Sequence, residues 1–319
     1  SLYSIGQFSE IGLAAPKVIM SAKSIGDKLP AYLTLIKAVA AQKKVAEAMQ
    51  IGLKILDELG ESFSTSSKTK EELLGIVFHT KRQIEGMTKD QFMEWKTMEK
   101  PDKIAAMKIL IELLAYVDFL EEVLVISLLT RMIHLTLTYG ICEASSYAFA
   151  GFAFLLVDFD KEGARRIGDL ALSTIERLHV QNSLPRVYFC IYGGVHHYFE
   201  RTEDSLEYHM KAYETAMRVG DIAYAVMHGY FYCSKSLLCG KELVSLKEDC
   251  ELIMEVATRY KQESKRIILL PIYQAILNLL GQSDNSLQNI EDMITSDSNT
   301  ERIHACFFFL PLFSGIYFW

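Results

Sequence analysis

Two adjacent histidines, His196 and His197, with His209 a short way on, are the nearest thing in this sequence to a ligand set. Neighbouring residues on an α-helix point about 100° apart, so one ion is not easily held by both. Neither stands in an HExxH arrangement. The six cysteines are Cys142, Cys190, Cys233, Cys239, Cys250 and Cys306, and they form no CxxC pair. Spacings of six and eleven among Cys233, Cys239 and Cys250 fit no zinc pattern. Each cysteine lies in an apolar helical context, which suits a free buried thiol; the compartment expected from that is reducing and cytoplasmic. Gly193–Gly194 reads as close helix packing, because the chain has no GxxxxGK[ST], GxGxxG or GxSxG. The acids Glu121–Glu122 and Asp158–Asp160 fall where helices should begin, and there a carboxylate complements the dipole. The expectation is therefore no catalytic, cofactor-binding or metal-binding residue in this chain.

Tyrosine is the unusual residue, sixteen in 319. Core packing explains most of them. A second reading places some of them on a concave groove, where a tyrosine gives a peptide a large rigid face with a polar tip. That candidate groove comprises Tyr147, Tyr188, Tyr192, His196, Tyr224, Tyr232 and Lys235, with Arg186 and Lys235 as scattered cations for a peptide carboxylate. The two readings part on exposure: a groove needs at least three of Tyr188, Tyr192, His196, Tyr224 and Tyr232 open on one surface.

The elements that must position these residues are helices. From residue 131 to 240 an aromatic, small-residue helix alternates with a short polar turn and a second amphipathic helix. Breaks fall near Gly140, His179, Gly220 and Lys261. A period of about forty residues is the mark of a stacked repeat, whose units cannot bury their apolar faces alone. The first helices are expected over 144–156, 185–199 and 222–238. Upstream, a helix within 1–25, opened by Ser9 or Gly12 and closed at Gly26–Asp27, precedes a clean pair over 28–59, with a turn at Gln42–Lys44 and Gly60 as the C′ cap. Small residues (Ala38, Ala41, Ala48, Gly52) are expected to let that pair approach closely. The reading divides the chain into first hairpins (1–60), a linker with an irregular helical insertion (61–101) and a repeat region (102–319) whose final apolar segment, Ala305–Trp319, is a repeat helix cut off mid-unit. No period-2 run suggests a strand, so the fold class expected is all-α, a right-handed α-solenoid of tetratricopeptide-like hairpins.

Charge narrows the partners. Residues 1–100 carry 14 basic and 12 acidic side chains, and the remainder 19 and 28, within a net charge of −7. An acidic repeat region is a poor match for a phosphate backbone, so no nucleic acid is expected. The C-terminal apolar run of about fifteen residues is shorter than the roughly 20 a span requires, so no membrane span is expected either. Partners are then proteins or peptides, including neighbouring domains of the same chain.

Several segments in order carry a more particular likeness: KVAEAMQIGLKILDELG, PDKIAAMKIL, LTYGICEASSYAFAGFAFLL, GARRIGDLALSTIERL, the run from HHYFERTEDSLEYHM through GDIAYAVMHGYFYCSKSLLCGKEL, and YQAILNLLGQSDN. Over about residues 28–315 they resemble the helical region of very large signalling ATPases. In that family a serine/threonine-kinase-like domain precedes an AAA-type, STAND-like ATPase; the helical region follows, then a GAF domain and a histidine kinase or cyclase. The resemblance implies a non-catalytic scaffold or sensor arm of an ATP-dependent kinase protein. It carries over no active-site residue, because the family's ATP-binding lysine, Walker loop and phospho-accepting histidine have no counterpart here. The alternative is a free-standing tetratricopeptide-type, peptide-binding adaptor.

Overall fold

The computed structural model describes residues 8–63, 69–86, 88–116 and 122–282. These fold as fourteen α-helices with no strand among the described residues. The expected short helix over 286–294, the apolar segment Ala305–Trp319 and Cys306 lie outside them.

In the first half the helices are α1 (Phe8–Ser21), α2 (Ile25–Ala41), α3 (Val45–Glu58), α4 (Lys70–Glu85), α5 (Lys89–Met93), α6 (Pro101–Leu114), α7 (Glu122–Tyr139) and α8 (Glu143–Leu156). Then come α9 (Lys161–Leu178), α10 (Leu184–Cys190), α11 (Leu206–Val219), α12 (Ile222–Leu238), α13 (Leu243–Arg259) and α14 (Glu263–Leu279). Their starts follow local chemistry. Ser24, Thr69 and Thr88 each accept from the backbone N–H three residues on, and Asp27, Glu72 and Gln91 return the bond to the cap backbone. Asp27 thus opens α2, where the sequence had suggested that it closes the preceding helix: a carboxylate three residues after a serine satisfies more orphan N–H groups at a start than at an end. Pro101 occupies the first turn of α6, where its missing N–H costs nothing.

The ends are equally local. Gly140, His179, Gly220 and Lys261, the four expected breaks, all have positive φ. Gly60 also does. There the Glu61 N–H bonds to the Leu56 carbonyl and the Gly60 N–H to that of Asp57, the paired closure of a Schellman motif.

The chain forms two compact units. The first holds residues up to Asp158 together with Arg166–His179; the second holds Phe159–Arg165 and the residues from Val180 on. Described residues of 61–101 are tied into the first unit. Arg177 of α9 donates to the carbonyls of Phe92 and Trp95, and Phe92 meets Phe149 of α8 edge-on. Residues 96–98 run beside Ile141, with the Ile141 N–H bonded to the Lys96 carbonyl and the Met98 N–H to that of Ile141. Gly52 serves a different neighbour from the one expected: a Cβ there would collide with Leu113 of α6, so its smallness admits α6 rather than α2.

In the second unit α12 packs on both of its chain neighbours, α11 and α13, and also on α10 and α14. Its core joins Val226, Tyr230 and Phe231 of α12 to Leu246, Cys250 and Ile253 of α13 and Ile268, Leu269 and Ile272 of α14. Burying each of the Val, Leu and Ile side chains among them contributes about 1.5–3 kcal/mol. Gly229 permits the approach of α13, since a Cβ would meet Ile253 at 2.7 Å.

Candidate functional site

The tyrosines do not line an open surface. Tyr188, Tyr192 and His196 are buried, as is Tyr147 in the first unit, and Lys235 is 1% exposed. Tyr224 and Tyr232 are half-buried. Their faces are taken up by neighbours within the fold. Tyr192 stacks on Tyr208 at 3.9 Å and meets Tyr188 and His196 edge-on. Phe189 packs edge-on against Tyr224, with the Arg186 guanidinium over its ring. Lys241 Nζ donates to the Tyr232 hydroxyl at 2.6 Å. The exposed aromatic groove is therefore corrected: large rings on first helices are spent on helix contacts, because a helix with neighbours on several sides has little open face. Arg186 is likewise engaged, its Nε 3.0 Å from Asp221 Oδ2.

What the second unit does assemble is a buried polar chain. Residues 185–199, expected as one helix, change winding: α10 stops at Cys190, Ile191–Val195 make a π turn, and His196–Tyr198 a 3-10 turn. Gly193 explains the position, because a Cβ there would meet the Phe231 ring at 2.8 Å. Such insertions release a carbonyl from the regular helical pattern, and the Tyr192 carbonyl accepts from Lys235 Nζ at 2.7 Å. The same ammonium reaches Ser205 Oγ at 2.9 Å and His209 Nε2 at 3.0 Å. His209 Nδ1 lies 3.0 Å from His228 Nδ1, and His228 Nε2 lies 2.8 Å from the Pro185 carbonyl. Both histidines are fully buried.

The proton positions follow from the ends of this chain. A carbonyl only accepts. His228 must then carry its proton on Nε2 and present a bare Nδ1. His209 must donate from Nδ1 and present a bare Nε2, and Lys235 must donate to it. Ser205 is oriented the same way, because its own proton goes to the Thr202 carbonyl at 2.7 Å. Three fixed acceptors thus surround the amine, and only an ammonium has three protons for them. No carboxylate is among its bonded partners.

Burial is the main electrostatic force here. It lowers Lys235 to about 8, with Cys239 opposing. It lowers His228 to about 4, the Pro185 bond opposing and Lys235 adding. His209 goes well below its usual value through burial, then Lys235 and His228, with the Tyr192 carbonyl opposing. His197 is taken to about 4 by burial, Lys235 and Lys161. At neutral pH the arrangement is one ammonium and neutral rings, in agreement with the hydrogen-bond polarity.

His228 escaped the sequence reading altogether. The available signal was a histidine and a lysine seven residues apart on one face of an otherwise apolar helix, IAYAVMHGYFYCSKSLL. Cys142, Cys190, Cys233, Cys239 and Cys250 are free thiols, and burial pushes Cys190 up to about 12. Asp160 accepts from the Gly163 N–H at 2.9 Å at the start of α9, the helix-start role expected of it. Among the described residues no group of three or more His, Cys, Asp or Glu side chains could hold a metal ion, and no helix is long and apolar enough to cross a membrane. The chain matches no protein-family model and no curated protein.

Proposed function

We propose that the chain is a tetratricopeptide-like, right-handed α-solenoid acting as a non-catalytic scaffold and sensor arm of a large signalling ATPase–kinase, through contacts with proteins or with neighbouring domains. The observation that supports this most is the contact pattern of the second unit. There α12 touches α10 and α14 as well as its immediate neighbours, and α11 to α14 each end in a left-handed residue, Gly220, Gly240, Lys261 and Gly281. Helical hairpins stacked in series have this pattern, since each unit covers the next. The likeness to the helical region of signalling ATPases supplies the cellular context.

Sequencing the coding region on both sides tests the context. A P-loop ATPase upstream and a GAF or kinase domain downstream are the expected result; a reading frame with neither contradicts it. Calorimetric titration with ATP tests the non-catalytic assignment. No heat beyond dilution is expected, and micromolar binding would overturn it.

A further inference from the structure

The polarity of the buried chain has a consequence independent of the proposed cellular role. Every hydrogen atom between Lys235 and the Pro185 carbonyl is already placed, so an added proton finds each acceptor already engaged. On His228 Nδ1 it would point at the His209 Nδ1–H, across 3.0 Å. On His209 Nε2 it would face the Lys235 ammonium across 3.0 Å and compete with it for the Tyr192 carbonyl. In the first case two donors face each other without solvent, and in the second two cations share one carbonyl.

We propose that this chain is an acid-released latch, holding residues 184–205 onto α11 and α12 at neutral pH and freeing them when it takes up a proton. The latch is built from contacts distant in sequence. His228 and Lys235 of α12 grip the carbonyls of Pro185 and Tyr192, and His209 of α11 links the two grips. The segment held is the irregular one: a seven-residue helix, a π turn and two 3-10 turns. It has few helical bonds of its own to resist release.

The surrounding charges favour release in acid. His209 faces Lys235 and His228. His228 faces Lys235, and more weakly Asp221, whose carboxylate is taken by Arg186. His197 feels Lys235 and Lys161, both cationic, and neither of its ring nitrogens has a hydrogen-bond partner. On the acidic side, Glu200 Oε1 stands 3.2 Å from His196 Nδ1 but off the direction of a hydrogen bond, and Glu203 acts on Cys239, the thiol beside Lys235. Each added proton thus joins an existing cation with no carboxylate bonded to the chain.

The test is hydrogen exchange of backbone amides 186–199 followed by mass spectrometry from pH 7.5 to 5, after correction for intrinsic exchange, in the whole 319-residue chain. The wild type should open about tenfold more for each pH unit below 6.5 per proton taken up. H209Q/H228Q should lose most of that dependence, because one terminal amide can both donate and accept and does not titrate in this range. Equal pH dependence in the two proteins would overturn the latch. Should the double variant fail to fold, imidazole nitrogen NMR of the wild type decides. Both rings staying neutral until the segment opens supports the proposal; either ring titrating near 6.5 with the segment still closed overturns it.

Discussion

Each unit buries a charged knot, and the two are built in opposite ways. In the first, Glu61 is 3% exposed, with Lys103 Nζ at 2.6 Å and Arg131 Nη1 at 3.0 Å. Lys103 donates also to the Leu59 carbonyl at 3.1 Å. Opposite charges compensate there, and the geometry tolerates rearrangement, since Arg131 keeps 35% of its side chain in solvent. In the second, Lys235 has lone pairs only, each fixed by a carbonyl further along. Compensation by charge is strong and loosely directional; compensation by dipoles works only when every proton is in place. The second knot should therefore be the more specific and the more fragile in acid.

The glycines give the widest expected difference. Gly140 has φ +112°, and a Cβ there would collide with backbone of Lys96–Met98; Gly193 faces only the ring of Phe231. Gly140→Ala should cost about 4 kcal/mol, from strained φ plus a clash with backbone. Gly193→Ala should cost about 2 kcal/mol, because a side chain can yield. Urea unfolding of both variants checks the order, and equal losses would show that the π turn is as rigid as the backbone crossing.

Removing the charges comes next. Glu61→Gln leaves two cations against a neutral amide and should cost about 3 kcal/mol. Lys235→Met relieves a buried charge yet strands three acceptors, for a net loss of about 2–3 kcal/mol. A salt titration separates the two knots. Added salt should weaken the first, whose cations reach solvent, and leave the second unchanged.

Acid is the sharper discriminator. His228 is held at about 4, below its ordinary 6.5. A depressed folded-state value means that its contribution is complete above 6.5 and is lost as pH falls toward 4, about 3 kcal/mol over that window. Stability curves of the wild type and H228Q should converge between pH 6.5 and 4, and parallel curves would contradict the assignment. The smallest effect belongs to the exposed pair Arg259–Glu255 of α13: Glu255→Ala should change stability by less than about 0.5 kcal/mol, which calibrates the others.

Most helix boundaries were legible in the sequence because they are local events. Gly60, Gly140 and Gly220 close helices through bonds within a few residues, whereas the Ser-x-x-Asp box at Ser24 was misread as an end. The interior was less legible. The apolar stripe Leu206, Met210, Tyr213, Ala216 and Met217 marks the inner face of α11 only in part: Ala216 is buried with His209, Ala212 and Thr215, and the other four are half-buried. Burial of Lys235 depends on the Tyr192 carbonyl and the Ser205 hydroxyl, 43 and 30 residues away, and on a change of winding that no local periodicity encodes. A surface groove stayed open as a second reading of the tyrosines because residue type alone does not say which side of a helix has a neighbour.

The directed hydrogen-bond chain itself is tested most directly by the tautomers of two rings. In the wild-type protein at pH 7.5, nitrogen chemical shifts of the imidazoles should show His209 protonated on Nδ1 and His228 on Nε2, both neutral. The opposite tautomer on either ring, or a charged imidazolium, would contradict the polarity deduced from the Pro185 carbonyl.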